Sequence, residues 1–395
     1  MLENQTHPVP ARQQRISKAS LRRGSIIVLS ACLIVAIFAF TAFTVDFGLV
    51  VLVKQELQTA ADASALAAAQ ELLDMQGHAS GTPAEQQALK VARTAAVDVA
   101  AANPNAYRTS TFLDPLTDVE FGNRTWNSTT QQWVTTWGSG PYNVVRTTAR
   151  RTSAAGNPLP LSFAPVIGHQ DADVTEQAVA GLMTGVGFAS GGGGHGPILP
   201  FAVDIDSWMA LETAIQPDCW RWDESTGTIQ PGSDGIPELL MYPNGPDVTL
   251  PAGNRGTINI GRANNSTADL RRQIREGVTT GDLAYHGGSI DFSQGPIDFT
   301  GDPGLSAAIK SDLQAIIGEP RAIVLFTEVS GSGANAVYTC VRFVGVRVCY
   351  VKLTGPMSLK RVIVQPTVLT DDWIIPGPAD TSVPGTIYSA PRLLQ

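Results

Sequence analysis

Between Gly24 and Val45 the chain runs for 22 residues without a charged side chain, GSIIVLSACLIVAIFAFTAFTV. As an α-helix this run is about 33 Å long, enough to cross a hydrocarbon core of about 30 Å. Residues 1–23 carry Arg12, Arg15, Lys18, Arg22 and Arg23 against Glu3, a net of +4 in a chain whose total is −8. A basic tail beside an apolar span predicts a cytoplasmic N-terminus, with everything after Val45 on the other side. A cleaved secretory signal would have an apolar region of about 7–15 residues closed by small residues in an A-x-A pattern. This run is longer and has no such closure. A prepilin-type signal would place an acid a few residues after Gly24, and the following SIIVL has none. The expectation is a tail over 1–23 and an uncleaved single-pass anchor over 24–45, with the lipid bilayer as its first partner.

Asp46 stands at the end of the span, yet Phe47 to Val53 is apolar again. Either Asp46 lies in the headgroup layer, which the length of 24–45 favours, or the span is shifted outward and the carboxylate needs a partner. Beyond it, KQELQTAADASALAAAQELL (Lys54 to Leu73) is rich in strong helix formers and free of Gly and Pro. Leu57, Ala61, Ser64, Ala68 and Leu72 share one helical face, and its small residues allow a close neighbour. Thr82-Pro83-Ala84-Glu85 reads as a capped helix start, and the second helix should end before Asn103-Pro104. Segment 46–104 is therefore expected to be a helical stalk or hairpin. The best partner for the small-residue seam within the chain is the face of Ala88, Val91, Ala92, Ala95 and Val99.

From about residue 105 the pattern turns to β. Asp118–Trp126, Gln131–Thr136 and Asn143–Arg150 are short runs of aromatic and β-branched residues, and Asn157–Val166 and Asp173–Leu182 could extend the sheet. Segment 105–184 is read as a β-rich region and 185–197, with SGGGGHGP, as a Gly-rich linker. Segment 198–395 is read as a second β-rich domain with short helices. One helix follows Ser266 and stops at Gly277. Another begins near Asp302-Pro303, carries Leu305, Ile309, Leu313 and Ile316 on one face, and stops at Gly318. The fold class is α+β: a transmembrane helix continuing into a helical stalk, then two β-rich regions.

The N-terminal third resembles the TadG-like proteins of Tad/Flp pilus assembly (the TadE/TadG-like family). The matching residues are Arg22-Arg23-Gly24 ahead of the span, Val45-Asp46-Phe47-Gly48 at its end, and LQTAADASALAAA from Leu57 to Ala69. The resemblance covers about 60 residues. It implies a non-enzymatic envelope protein anchored in the inner membrane, with an exported body, protein partners in a pilus or secretion apparatus, and a plausible homo-oligomer. Some relatives carry a von Willebrand A-like domain with a D-x-S-x-S metal site. The nearest stretch here, Asp204-Ile205-Asp206-Ser207-Trp208, departs at positions 206 and 208, which puts metal-dependent adhesion in doubt.

The residues offer little other chemistry. The five histidines, His7, His78, His169, His195 and His286, have no ligand-spaced partners. Gly191 to Gly196 fits G-x-G-x-x-G nominally, but Pro197 follows where a helix should open. No phosphate loop and no nucleophile elbow is present. Asp204, Asp206, Asp218, Asp223 and Glu224 cluster in sequence with Trp208, Trp220 and Trp222. This is either a solvated acidic loop or the site of a membrane-tethered glycan hydrolase or surface adhesin. The acidic balance argues against nucleic acid. No cofactor is expected. Cys340 and Cys349 would pair only if Val344-Gly345 were a two-residue turn. A continuous strand would hold them about 30 Å apart at roughly 3.3 Å per residue.

Overall fold

Residues Arg23–Glu71 form one unbroken helix, α1, 49 residues long. The computed structural model describes residues 23–75, 81–127, 129–191, 193–213, 217–242, 255–261, 266–356, 359–379 and 383–394. The N-terminal part of α1 is long and apolar enough to cross a membrane. Neither Asp46 nor Gly48 interrupts it, so the apolar run and the alanine-rich stalk are one rod. A short 3₁₀ turn, Leu72–Met75, ends the rod. α2 (Pro83–Ala101) then starts as its sequence requires. Thr82 accepts the Glu85 amide, and the Glu85 carboxylate accepts the Gly81 amide at 2.6 Å. These two bonds satisfy amide donors at the helix entrance that have no intrahelical acceptor.

The chain packs as two units. The first takes residues up to Leu57, then Asn105–Tyr107 and Arg150–Thr175. Its polar centre is Arg151, buried to 3% exposure. The guanidinium donates to the carbonyls of Ala106 (2.6 Å), Pro158 (3.2 Å) and Asn157 (3.3 Å) and to the Asn105 side chain (3.3 Å). The Ala106 amide in turn donates to Glu56 of α1 at 2.8 Å. Segment 157–166, expected to be a strand, pairs only at Leu159–Pro160, against Asp171–Ala172. Beyond Pro160 the chain turns into a 3₁₀ segment, Ala164–Ile167. The apolar run belongs to the tip of a hairpin rather than to a sheet.

The second unit holds the rest of the described chain. A five-stranded sheet, most of it in this unit, takes the order Gln132–Trp137, Val119–Asn127, Val144–Arg151, Val174–Gly181 and Arg392–Leu393. The last strand comes from the far end of the sequence and pairs Leu393 with Ala180. The larger sheet closes into a ring. Ala336–Lys352 pairs with Ile297–Asp302, then follow Arg255–Ile258, Ile198–Asp204 and Pro320–Ser330, and this last strand returns to Ala336–Lys352. Arg361–Pro366 and Leu239–Tyr242 extend it from the outer half of the long strand.

Both faces of the ring are apolar. One gathers Ala202, Ile258, Phe299, Val324, Phe326 and Tyr338. The other presents Leu199, Phe201, Val203, Ile323, Leu325 and Val346. Against this second face lie Trp208 and Leu211 of α3 (Ile205–Thr213), Leu270 and Ile274 of α4 (Thr267–Glu276), and Leu313 of the short α6 (Lys310–Ala315), reached after α5 (Thr280–Leu283). α6 starts later than the sequence suggests, because Asp302 still belongs to a strand.

Of the two readings open for Cys340 and Cys349, the structure takes the continuous strand. Ala336–Lys352 is a single strand of 17 residues, so no turn forms at Val344-Gly345, and Cys340 and Cys349 are free thiols. The glycine is there for close approach: the Gly345 amide donates to the Gly385 carbonyl at 2.6 Å, and a Cβ would meet Leu369 at 3.1 Å. The stretch read as a linker contains the strand Gly185–Ala189, paired with Ser289–Asp291 and Ile374–Pro376. Its glycines also cradle an indole. The Trp373 ring lies against the Cα positions of Gly191 and Gly196, and its N–H donates to the Gly193 carbonyl at 3.0 Å.

α4 and α6 are joined by Asp312, which is 1% exposed and paired with Arg271 at 2.8 Å and with Arg275. Burial alone would raise this carboxyl's pKa, but the two guanidiniums outweigh it and hold it below the ordinary carboxylate range. A depressed folded-state pKa gives stability that is present above the unfolded value and lost as pH falls through the folded one. Asp312→Asn is expected to cost about 1–3 kcal/mol near neutral pH and less in acid. Urea denaturation at pH 7 and pH 3 would show it, and an equal cost at both pH values would contradict the assignment.

Candidate membrane-proximal interaction site

Asp46 is 6% exposed although it follows the apolar span directly. Its carboxylate accepts three consecutive backbone amides, from Ser162 (2.8 Å), Phe163 (2.9 Å) and Ala164 (2.6 Å). These amides open the Ala164–Ile167 turn, where donors have no partner within the turn itself. The side chain therefore fastens the 159–172 hairpin tip to α1. The sequence shows that Asp46 could need a partner but not which one, since the donors lie 116 to 118 residues away.

Leu57, Ala61, Ser64, Ala68 and Leu72 are all fully buried. The Ser64 hydroxyl donates to the Ala60 carbonyl at 2.6 Å within the helix. At Ala61 the neighbour is a strand: the buried Thr147 hydroxyl donates to the Ala61 carbonyl at 2.8 Å. One turn earlier, the Gln58 amide reaches the Gln177 carbonyl at 3.2 Å. The small side chains thus let strand residues reach the helix backbone. On α2 the most deeply buried apolar residues are Ala92, Ala96 and Ala100, while Val91 is 39% exposed. That stripe is rotated from the face expected at Ala88, Val91, Ala92, Ala95 and Val99. Ala61→Leu should overpack the Thr147 contact and cost about 1–3 kcal/mol. Ala63→Leu, at a half-buried position, should cost less than half as much. Equal losses by chemical denaturation would show that the seam is not tightly packed.

The acidic and tryptophan-rich segment is dispersed into local structural roles. Asp204 accepts the Ser207 amide and hydroxyl, both at 2.9 Å, at the start of α3. Trp208 is fully buried and donates to the Pro384 carbonyl at 3.0 Å. Asp218 holds the Ser233 hydroxyl and the amides of Asp234 and Gly235. Asp223 closes its own turn through Ser225. The Ser233 and Ser225 hydroxyls, with the turn amides, hold Asp218 and Asp223 below the usual carboxylate range. Asp206 and Glu224 have exposed side chains. Trp220 stacks on Tyr350 with centroids 5.3 Å apart, and Arg347 lies 4.1 Å over Trp222.

The carboxylate that reading the sequence missed is Glu238, 2% exposed. It accepts the amides of Cys219 (2.8 Å) and Trp220 (2.6 Å), while burial pushes its pKa up. No spacing signal marks it, because its donors lie 18 and 19 residues upstream. Of the histidines, His195 meets the Glu276 carbonyl at 3.0 Å and His286 packs on Phe299. His7 and His78 lie outside the described residues. Among the described residues no three His, Cys, Asp or Glu side chains are grouped to hold a metal ion.

Along α1 the chain thus carries one buried carboxylate at the end of the apolar run and, farther on, a seam of small buried residues. Residues 24–71 match the Tad family model, described as putative Flp pilus-assembly TadE/G-like. The match begins at the apolar run, passes through Asp46, and ends where α1 ends. It takes in four of the five seam residues, Leu57 to Ala68. No curated protein and no solved structure matches the chain.

Proposed function

We propose that this chain is a non-enzymatic, membrane-anchored envelope protein of the Tad/Flp pilus-assembly type, which positions an exported body for contacts with other proteins. The observation that carries this is the coincidence of the TadE/G-like match over 24–71 with one continuous helix that leaves the apolar run and becomes fully buried at the seam. The basic tail and the apolar run favour an N-terminus in the cytoplasm, an anchor in the inner membrane and a periplasmic or extracytoplasmic body. Partners are then the bilayer and components of the pilus or secretion apparatus, with self-association open. The second reading, a tethered glycan hydrolase or adhesin using the acidic and tryptophan segment, is disfavoured. The carboxylates at Asp204, Asp218 and Asp223 serve local turns, and Trp208 is unavailable to a sugar.

A reporter fused after Gln395 should be active only outside the cytoplasm. Deleting the gene in its own strain should abolish Flp-type filaments, with rescue by the full chain but not by a chain lacking 24–45. Cytoplasmic reporter activity, or filaments unchanged by the deletion, would overturn the proposal.

A further inference from the structure

The hairpin tip that Asp46 holds has no evident use in the anchor itself. Residues 152–170 contain no Asp, Glu, Lys or Arg. At the tip, Val166 is 89% exposed, Ile167 76% and Phe163 46%. The tip is built to keep this shape. The Leu161 amide donates to the Gln170 carbonyl at 3.0 Å, the Val166 amide to Phe163 and the His169 amide to Ala164 at 3.1 Å, and Gly168 supplies the left-handed residue that closes the turn. Three bonds to Asp46 then fix its height along α1.

At that height α1 itself is still apolar outside. Phe43, Val45, Phe47, Val51 and Leu52 are all about half exposed or more, and the first charged residue after Asp46 is Lys54. From Gly24 to Val53 is 30 residues. As a helix that is about 45 Å, the thickness of a bilayer with its headgroup layers rather than of its hydrocarbon core alone. A carboxylate seven residues inside the far end is costly unless it is buried and hydrogen-bonded, and Asp46 is both.

We propose that the Phe163–Ile167 tip is a second membrane contact of this chain, seated in the interfacial layer of the leaflet where α1 emerges, with Asp46 setting its depth and sealed beneath it. The occupant of the exposed patch is lipid at the boundary of headgroups and acyl chains. Because Phe163–Ile167 has no charged side chain and residues 152–170 have no Lys or Arg, its insertion rests on apolar area and is independent of anionic lipid. The proposal rests on the membrane-anchor reading of α1 and adds a membrane contact that the anchor alone does not require.

The test uses the full chain carrying Cys32→Ser and Cys219→Ser, with Cys340 and Cys349 left buried. An environment-sensitive fluorophore is attached at Val166→Cys or Ile167→Cys, with Ser153→Cys, whose side chain is also exposed, as the control. The protein is reconstituted in phosphatidylcholine vesicles with and without phosphatidylglycerol. Shallow nitroxide-labelled lipid should quench the tip probes at least threefold more than the control. Aqueous iodide should do the reverse, and phosphatidylglycerol should change neither result. Asp46→Ala should halve the lipid quenching at Val166. Tip probes as open to iodide as the control would overturn the proposal. So would a tip shielded from iodide yet unquenched by lipid, which would mean a protein-facing surface, or quenching that requires phosphatidylglycerol. Unchanged quenching in Asp46→Ala would overturn the role given to Asp46. Failure of the chain to float with vesicles after alkaline washing would count against the anchor instead, so the two readings fail separately.

Discussion

Val35→Arg combined with Phe38→Arg should release the chain from membranes. Both side chains are 69% exposed on the apolar part of α1, near the middle of the 24–45 run, so neither substitution disturbs packing within the protein. An arginine at the centre of a spanning helix costs about 2.5–3.5 kcal/mol, so the pair costs about 5–7 kcal/mol, roughly four orders of magnitude in the insertion equilibrium. Aliphatic and aromatic side chains in the span return only about 0.3–0.6 kcal/mol each. Gln70→Arg, at an exposed position on the same helix and off the seam face, should leave the distribution unchanged. Fractionation followed by alkaline washing measures this. A double variant retained in membranes at the unmodified level would mean that α1 is not what holds the chain there.

That result follows directly from the amino-acid sequence, and the reason is physical. The signals for α1, α2 and α4 are local: an uncharged run of fixed length, the Thr82 and Glu85 cap, and Ser266 with Gly277 bracketing an amphipathic turn pattern. What the sequence hid was non-local. Ile198–Asp204 is buried along both faces, so it shows no alternation by which a strand could be recognised. Arg392–Leu393 is a strand only because Gly181 and Ala180 lie beside it. Val344-Gly345 and the 185–196 glycines were open to reading as a turn and a linker, because a glycine that permits flexibility and one that permits close approach look alike until the neighbour is known. The candidate site divides the same way. The seam was visible by its spacing of 4, 3, 4 and 4, but the Thr147 strand against it and the hairpin held by Asp46 were not.

The second large effect lies in the closed ring, where one tyrosine depends on two glycines. Tyr338 is fully buried, sits edge-on to Phe326 at 4.9 Å, and its hydroxyl donates to the Arg255 carbonyl at 3.4 Å. Burial pushes that hydroxyl's pKa up to about 12. A Cβ on Gly256 would overlap the hydroxyl and meet the Asp302 carbonyl at 3.0 Å, and one on Gly301 would overlap the Thr257 carbonyl first and meet the ring at 3.0 Å. The tyrosine hydroxyl therefore occupies space that exists because position 256 lacks a side chain, while Gly301 answers to the close Thr257 backbone as well as to the ring, which explains glycines inside strands that they would otherwise weaken. Tyr338→Ala should cost about 3–5 kcal/mol through the cavity it leaves. Gly256→Ala should cost about 1–3 kcal/mol by overpacking. The two should not add, because a methyl at 256 projects into the space that the removed ring vacates, so the double variant should recover about 1–2 kcal/mol of the sum. Chemical denaturation of the three variants, followed by tryptophan fluorescence, gives the coupling directly. Strictly additive costs would show that Gly256 answers to the Asp302 backbone rather than to the tyrosine.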